Sequence, residues 1–196
     1  EGATMSPSKT RQRLLTTALL MCLASATPSG QWFRDGDRLP DQPWSKSRGE
    51  FGAMMVLSAQ PEQFLDAWTR QTPGVSIRAA STVRRGMALA PFILFIGCRQ
   101  DAEGLCSASF DLEVIKPDGS SHFRTDGLEL WRGKPAPAAG SLGLSVGYAE
   151  IVLEPEDPLG RYLVRVNARD EEAKIALTLE QTFNAVSSVS TVIGTG

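Results

Sequence analysis

Residues able to do acid–base, thiol or metal chemistry are scarce in this chain of 196 residues, which has one histidine, three cysteines and five methionines. His122 is that single histidine, so no multi-histidine metal site can form and any Ser-His-Asp triad would have to use it. It stands beside Phe123 in a turn-rich stretch and is read as a solvent-exposed side chain. Gly143-Leu144-Ser145-Val146-Gly147 satisfies the bare G-x-S-x-G pattern. A nucleophile elbow, however, needs a strand-to-helix turn, and strand-like sequence continues on both sides here. The thioethers of Met54, Met55 and Met87, with His122, suit copper(I) by softness, yet neighbouring Met54 and Met55 point to opposite faces of a strand and are assigned to packing. Glu154, Glu156 and Asp157, and again Asp170, Glu171 and Glu172, crowd two turns and could offer oxygen ligands to calcium. No D-x-D-x-D-G loop organises them, so they are read as solvated turns. The sequence assigns no catalytic residue, no metal site and no cofactor.

The cysteines depend on the address, which is written in residues 1–26. Met5 reads as the initiator, with residues 1–4 upstream of it. Basic Lys9, Arg11 and Arg13 precede an apolar run over residues 14–23, and Ala24-Ser25-Ala26 then supplies a small-x-small cleavage site. That order is a secretory signal peptide. The run of about ten residues is shorter than the roughly 20 a membrane-spanning helix needs. Cys22 raises lipidation, but Met21 is a poor residue to precede a lipid-modified cysteine. Cleavage near Ala26 leaves Cys98 and Cys106, and an even pair in an oxidising compartment is most simply a disulfide. Free thiols or a redox pair are the alternatives, and the spacing is not C-x-x-C. Strand-like runs on either side predict a hairpin stapled across its neck, worth about 2.5 kcal/mol in chain entropy. The expected location is the periplasm or the exterior.

Composition narrows the partners. Twenty Lys+Arg against 22 Asp+Glu give a net charge of −2, and Arg84-Arg85 and Arg132-Gly133-Lys134 are too short for a phosphate-binding face. No nucleic-acid partner and no transmembrane segment is expected. Residues 27–50 are rich in Pro, Gly, Asp, Arg and Ser, without apolar period, and read as a flexible N-terminal arm. Trp32, Phe33 and Trp44 stand out within it, read either as packing on the domain or as anchors for a partner. Trp68 and Trp131 are the second pair of candidates, as an aromatic platform on which a sugar could stack.

What must position these residues is almost entirely β. Residues 51–59 make a first strand, and Pro61 opens a short helix whose Phe64, Leu65 and Trp68 share one face. Val75, Ile77 and Ala79 alternate as a second strand. The continuous apolar run over residues 89–96 predicts a central strand covered on both faces. Phe110, Leu112 and Val114 alternate with polar neighbours, residues 116–120 turn, and residues 121–131 read as shorter strands around an Asp126-Gly127 turn. Residues 142–153 read as one further strand. Tyr162, Val164, Val166 and Ala168 alternate with Arg161, Leu163, Arg165, Asn167 and Arg169, the signature of a strand with one wet face. Ile175, Leu177 and Leu179 alternate in a last strand. Residues 51–185 thus predict an all-β antiparallel sandwich, with residues 186–196 as a disordered tail.

The segment Asp157-Pro158-Leu159-Gly160-Arg161-Tyr162-Leu163-Val164-Arg165-Val166, followed by Asp170, resembles the D-P-x-G-x-Y-x-V-x-V…D closing hairpin of bacterial immunoglobulin-like domains. With Pro117-Asp118-Gly119-Ser120 and residues 129–135, it is similar to uncharacterised exported proteins of Gram-negative bacteria carrying such a domain, over residues 75–183. The resemblance implies an immunoglobulin-like sandwich and an exported location, and carries no functional residues across. Its physical content is that Gly160 permits a tight entry while Tyr162 buries its ring and bonds the backbone at the corner. The expected function is a non-catalytic periplasmic module binding another envelope protein through a sheet edge, loops or the aromatic arm. The alternative is a small-ligand module of carbohydrate type.

Overall fold

Period-two burial in the C-terminal half organises the molecule. A computed structural model describes residues 32–34, 37–70, 79–138 and 141–187; the expected signal peptide with Cys22, the strand expected at Val75 and Ile77, and residues 188–196 of the expected tail lie outside these. In chain order the elements are β1 (Phe33–Arg34), β2 (Asp37–Arg38), β3 (Ser45–Arg48), β4 (Phe51–Ser58), α1 (Pro61–Thr69), β5 (Thr82–Arg84) and β6 (Ala88–Ile96). There follow β7 (Leu105–Ile115), β8 (Ser121–Pro135), β9 (Gly143–Leu144), β10 (Ile151–Val152), β11 (Gly160–Asp170) and β12 (Ile175–Val186). Among the described residues, β1 and β2 pair only with each other.

Two five-stranded sheets face each other. One runs β5-β12-β11-β7-β8, and the other β10-β6-β4-β3 with β9 also on β6. Every pairing is antiparallel except β5 with β12. On β11, Tyr162, Val164, Val166 and Ala168 are fully buried, and on β12 Leu177, Leu179, Phe183 and Ala185 join them. Phe51, Ala53, Met55, Leu89, Ile93 and Phe95 answer from the other sheet, so alternate residues of each strand fill one interlayer core. β6 is buried on its second face too, at Ala90, Phe92, Leu94 and Ile96. There α1 docks, with the Phe64 ring stacked on Phe92 at 4.3 Å between centroids. The uninterrupted apolar run is therefore a strand covered on both sides. Pro61 occupies the first helical turn with Glu62, as its sequence implied.

Four sequence expectations are corrected. Residues 45–48 of the supposed flexible arm form edge strand β3, in register Ser45↔Met54 to Arg48↔Phe51, and Trp32 Nε1 donates to the Lys46 carbonyl at 3.3 Å. A polar strand with one paired edge needs no apolar period, which is why composition hid it. Cys98 and Cys106 do form a disulfide, with Cα atoms 6.0 Å apart, but β6 and β7 belong to different sheets, so it staples an inter-sheet crossing and not a hairpin. Asp126-Gly127 is no turn: β8 runs through it, and a register shift between Phe110↔Leu128 and Leu112↔Thr125 absorbs the extra residue. Residues 142–153 are not one strand. They pair with β6 at Leu144↔Leu94, leave it so that Val146 and Gly147 donate to the Leu130 and Glu129 carbonyls of β8, then return to β6 at Ile151↔Leu89. This segment closes one side of the sandwich by serving both sheets in turn.

Candidate interaction site

The opposite side is closed by Pro43 and Trp44. The Pro43 carbonyl accepts from Glu180 N–H of β12 at 2.7 Å, and the Trp44 carbonyl accepts from Met55 N–H of β4 at 2.8 Å. Consecutive carbonyls are thus tied to different sheets. Gln42 and Ser45 exchange backbone bonds at 2.7 and 3.1 Å, locking the turn between them. The Trp44 side chain nevertheless stays 43% exposed. Fixing the backbone of a large aromatic while leaving its ring wet is costly, since it forgoes burial. Trp44 lines a groove of about 660 Å³ with Lys116, Arg161, Leu163, Glu180 and Thr182. Leu163 and Thr182 are cross-strand partners and form its floor on the outer face of the β11–β12 pair.

Charge is sorted along that face. Arg165 donates through Nε to Glu180 at 2.9 Å and through Nη1 to Glu113 at 3.2 Å, and the Glu180 bond raises its already high pKa. Further along, Arg169 makes a two-pronged pair with Asp111, whose carboxyl is held below the usual range chiefly by that guanidinium. At the Trp44 end the pairing stops. Arg161 is exposed and lies opposite Asn184, without an acidic partner among the described residues. Lys116 Nζ stands 3.8 Å from Asp157, a loose contact that leaves donors free.

The remaining sequence candidates scatter. Trp32 is half-buried and spends its N–H on β3. Trp68 continues the α1 stack, 6.5 Å from Phe64, on the outer side of β6. Trp131 meets Phe95 edge-on at 5.5 Å, donates to the Pro135 carbonyl at 3.1 Å and carries Lys134 Nζ 5.2 Å above its ring. Phe92 and Phe95 project to opposite faces of β6, so Trp68 and Trp131 do not share one platform. Ser145 is buried and its Oγ accepts from Ile93 N–H at 3.3 Å, with irregular chain following it instead of a helix. Met55 is core, Met54 half-buried on the other face and Met87 exposed. The two acidic turns sit at opposite ends of β11, about 30 Å apart at strand rise. Among the described residues no three His, Cys, Asp or Glu side chains gather in metal-binding range, and no helix is long and apolar enough to cross a membrane.

His122 is not the exposed side chain expected. Only 16% of it reaches solvent, its Nδ1 lies 3.3 Å from Asp157 Oδ1, and its ring meets Tyr162 edge-on at 6.0 Å. Asp157 is itself buried, accepting from Glu154 N–H at 2.8 Å, while Arg85 bonds its carbonyl. Tyr162 is fully buried and its hydroxyl donates to the Pro158 carbonyl at 2.8 Å, with Gly160 at φ 127° making the entry. Burial raises the tyrosine pKa. At the other end, buried Asp170 accepts from the N–H groups of Arg99, Glu172 and Ala173 at 2.8, 3.1 and 2.9 Å, binding the disulfide crossing to the β11–β12 turn. Neither carboxylate was distinguishable by sequence from its exposed neighbours.

No family model matches the chain, and no curated protein sequence does. Among solved structures it is similar to a family 123 glycoside hydrolase from Clostridium perfringens, at 8% identity and TM-score 0.38, over 69% of this chain and 27% of that one. A Pseudomonas fluorescens alkylpurine DNA glycosylase, AlkC, bound to DNA containing an abasic site analogue, overlaps 54% of this chain and 27% of its own at 13% identity and TM-score 0.32. A Niemann-Pick type C2 protein from the Japanese carpenter ant overlaps 68% of this chain and 89% of its own, at 8% identity and TM-score 0.35. The chain thus spans 27% of the length of the first two. These likenesses transfer no residue and no activity.

Proposed function

We propose that this protein is a non-catalytic, exported interaction module of immunoglobulin-like build, binding another envelope protein through the Trp44 groove. The observation that carries the reading is Trp44 itself, a 43% exposed tryptophan whose carbonyl is bonded to one sheet while the carbonyl of Pro43 before it is bonded to the other. A rigidly held aromatic over a groove is the form that binding hot spots take, because little entropy is lost when a partner covers it. The immunoglobulin-like reading is supported by the sheet order β5-β12-β11-β7-β8, with β5 parallel to β12, and by the Tyr162–Pro158 corner at the entry to β11. A periplasmic or secreted location is supported by the signal-like residues 1–26 and by the buried disulfide, which persists in oxidising compartments. The test is a photocrosslinking residue at Asn184, the exposed cross-strand partner of the groove residue Arg161, in the protein expressed with its N-terminal residues. A discrete adduct that disappears in Trp44→Ala and survives in Trp68→Ala is the expected result. Adducts indifferent to Trp44→Ala would overturn it.

A further inference from the structure

Among the described residues, the edge of β12 has a gap inside the groove. Glu180 N–H bonds the Pro43 carbonyl and Asn184 N–H bonds the Ser81 carbonyl, both on the side away from β11. Strand geometry then aims the N–H and C=O of Thr182, midway between them, out of the same edge. Among the described residues neither group has a backbone partner there. Thr182 lines the groove together with Trp44, Arg161 and Lys116. An unmet donor–acceptor pair, an exposed aromatic beside Leu163 and cations in excess of acids meet in one cleft.

Resting on the interaction reading above, we infer that the groove binds an extended acidic peptide segment of the partner. Its backbone pairs with Thr182, crossing the edge in the one-residue opening between Pro43 and Ser81. One apolar side chain covers Trp44 and Leu163, and a neighbouring carboxylate meets Arg161 and Lys116, with Arg161 able to take it two-pronged. Glu113 and Glu180 are held by Arg165, and Asp111 and Glu171 by Arg169, so the acid facing the two cations is Asp157, which touches Lys116 only at 3.8 Å and leaves Arg161 unpaired among the described residues. A saccharide would use the tryptophan but has no need of a strand edge.

The test is selection of a displayed library of random dodecapeptides on the purified protein, with a glycan panel in parallel. The expected result is enrichment of Asp and Glu next to an apolar residue. A fluorescein-labelled peptide from that pool should bind Arg161→Glu/Lys116→Glu at least tenfold more weakly, and more weakly as salt rises. Arg161 is exposed but Lys116 is half-buried beside Asp157, so folding is checked by an unchanged thermal midpoint and the exposed single variant Arg161→Glu should weaken binding in the same direction. Thr182→Pro, which deletes the edge N–H, should also weaken binding, whereas Thr182→Val should not. Trp44-dependent peptides without acidic enrichment, or binding indifferent to the charge reversal, overturn the acidic assignment and leave the interaction reading standing. Trp44-dependent glycan binding overturns the peptide assignment. If nothing selected is sensitive to Trp44→Ala, both readings fall.

Discussion

Replacing Tyr162 by phenylalanine removes one hydroxyl from a ring that otherwise keeps its place. The ring is fully buried and stacks on Phe183 at 5.2 Å, so the substitution makes no cavity beyond a single oxygen. What is lost is the 2.8 Å bond to the Pro158 carbonyl. A net hydrogen bond is worth about 1 kcal/mol, rising to about 3 kcal/mol when the abandoned partner stays buried. Pro158 is half-buried, so the expected cost is about 1.5 kcal/mol, or about 4 °C in melting temperature for a domain of this size. Urea denaturation followed by tryptophan fluorescence should show a lower midpoint with unchanged slope. The pH dependence has a defined sign. Because burial raises the folded-state pKa above its ordinary value of 10.0, the wild-type tyrosine contributes stability below pH 10 that is lost as pH climbs through the folded-state pKa. The phenylalanine variant lacks that loss, so the gap between the two proteins should narrow above pH 10. A variant within about 0.3 kcal/mol of wild type at pH 7, or a constant gap into alkali, would refute the claim that this corner bond holds the entry to β11.

Three further outcomes follow from other parts of the fold. Cys98→Ala/Cys106→Ala should cost about 2.5 kcal/mol from loop closure alone, read as the difference in urea stability, with the native near-ultraviolet spectrum retained because Asp170 still anchors the crossing. Asp111→Asn should cost about 1 kcal/mol at pH 7. Since Arg169 lowers the pKa of Asp111, its stabilisation is present above about pH 4 and disappears as pH falls through the folded value. The variant's stability curve between pH 5 and 2.5 should therefore be flatter than wild type. Gly143→Ala would thrust a methyl group into the buried Phe95 ring, and a loss of about 1–3 kcal/mol in thermal or urea melts is expected.

By itself the sequence determined the β character, the strands around residues 161–169 and 175–183, the double-sided burial of β6, the helix opened by Pro61 and the cysteine pairing. Each is carried by short-range signals: alternation with period two, an apolar run too continuous for a one-sided strand, a proline at a helix start, an even cysteine count. Only the tertiary structure decided that β6 and β7 part into different sheets, that residues 143–152 serve both, and that His122 and Asp157 leave solvent together. The groove belongs to the same class. Trp44 was visible as an aromatic in a polar arm, but Arg161, Leu163 and Thr182 looked like ordinary outward positions of amphipathic strands. Nothing local separates a charged residue with a cross-strand partner from one without, or an edge N–H that is covered from one left open. Those differences arise where segments distant in sequence meet, Pro43 on Glu180 and Ser81 on Asn184, and sequence periodicity has no access to such meetings.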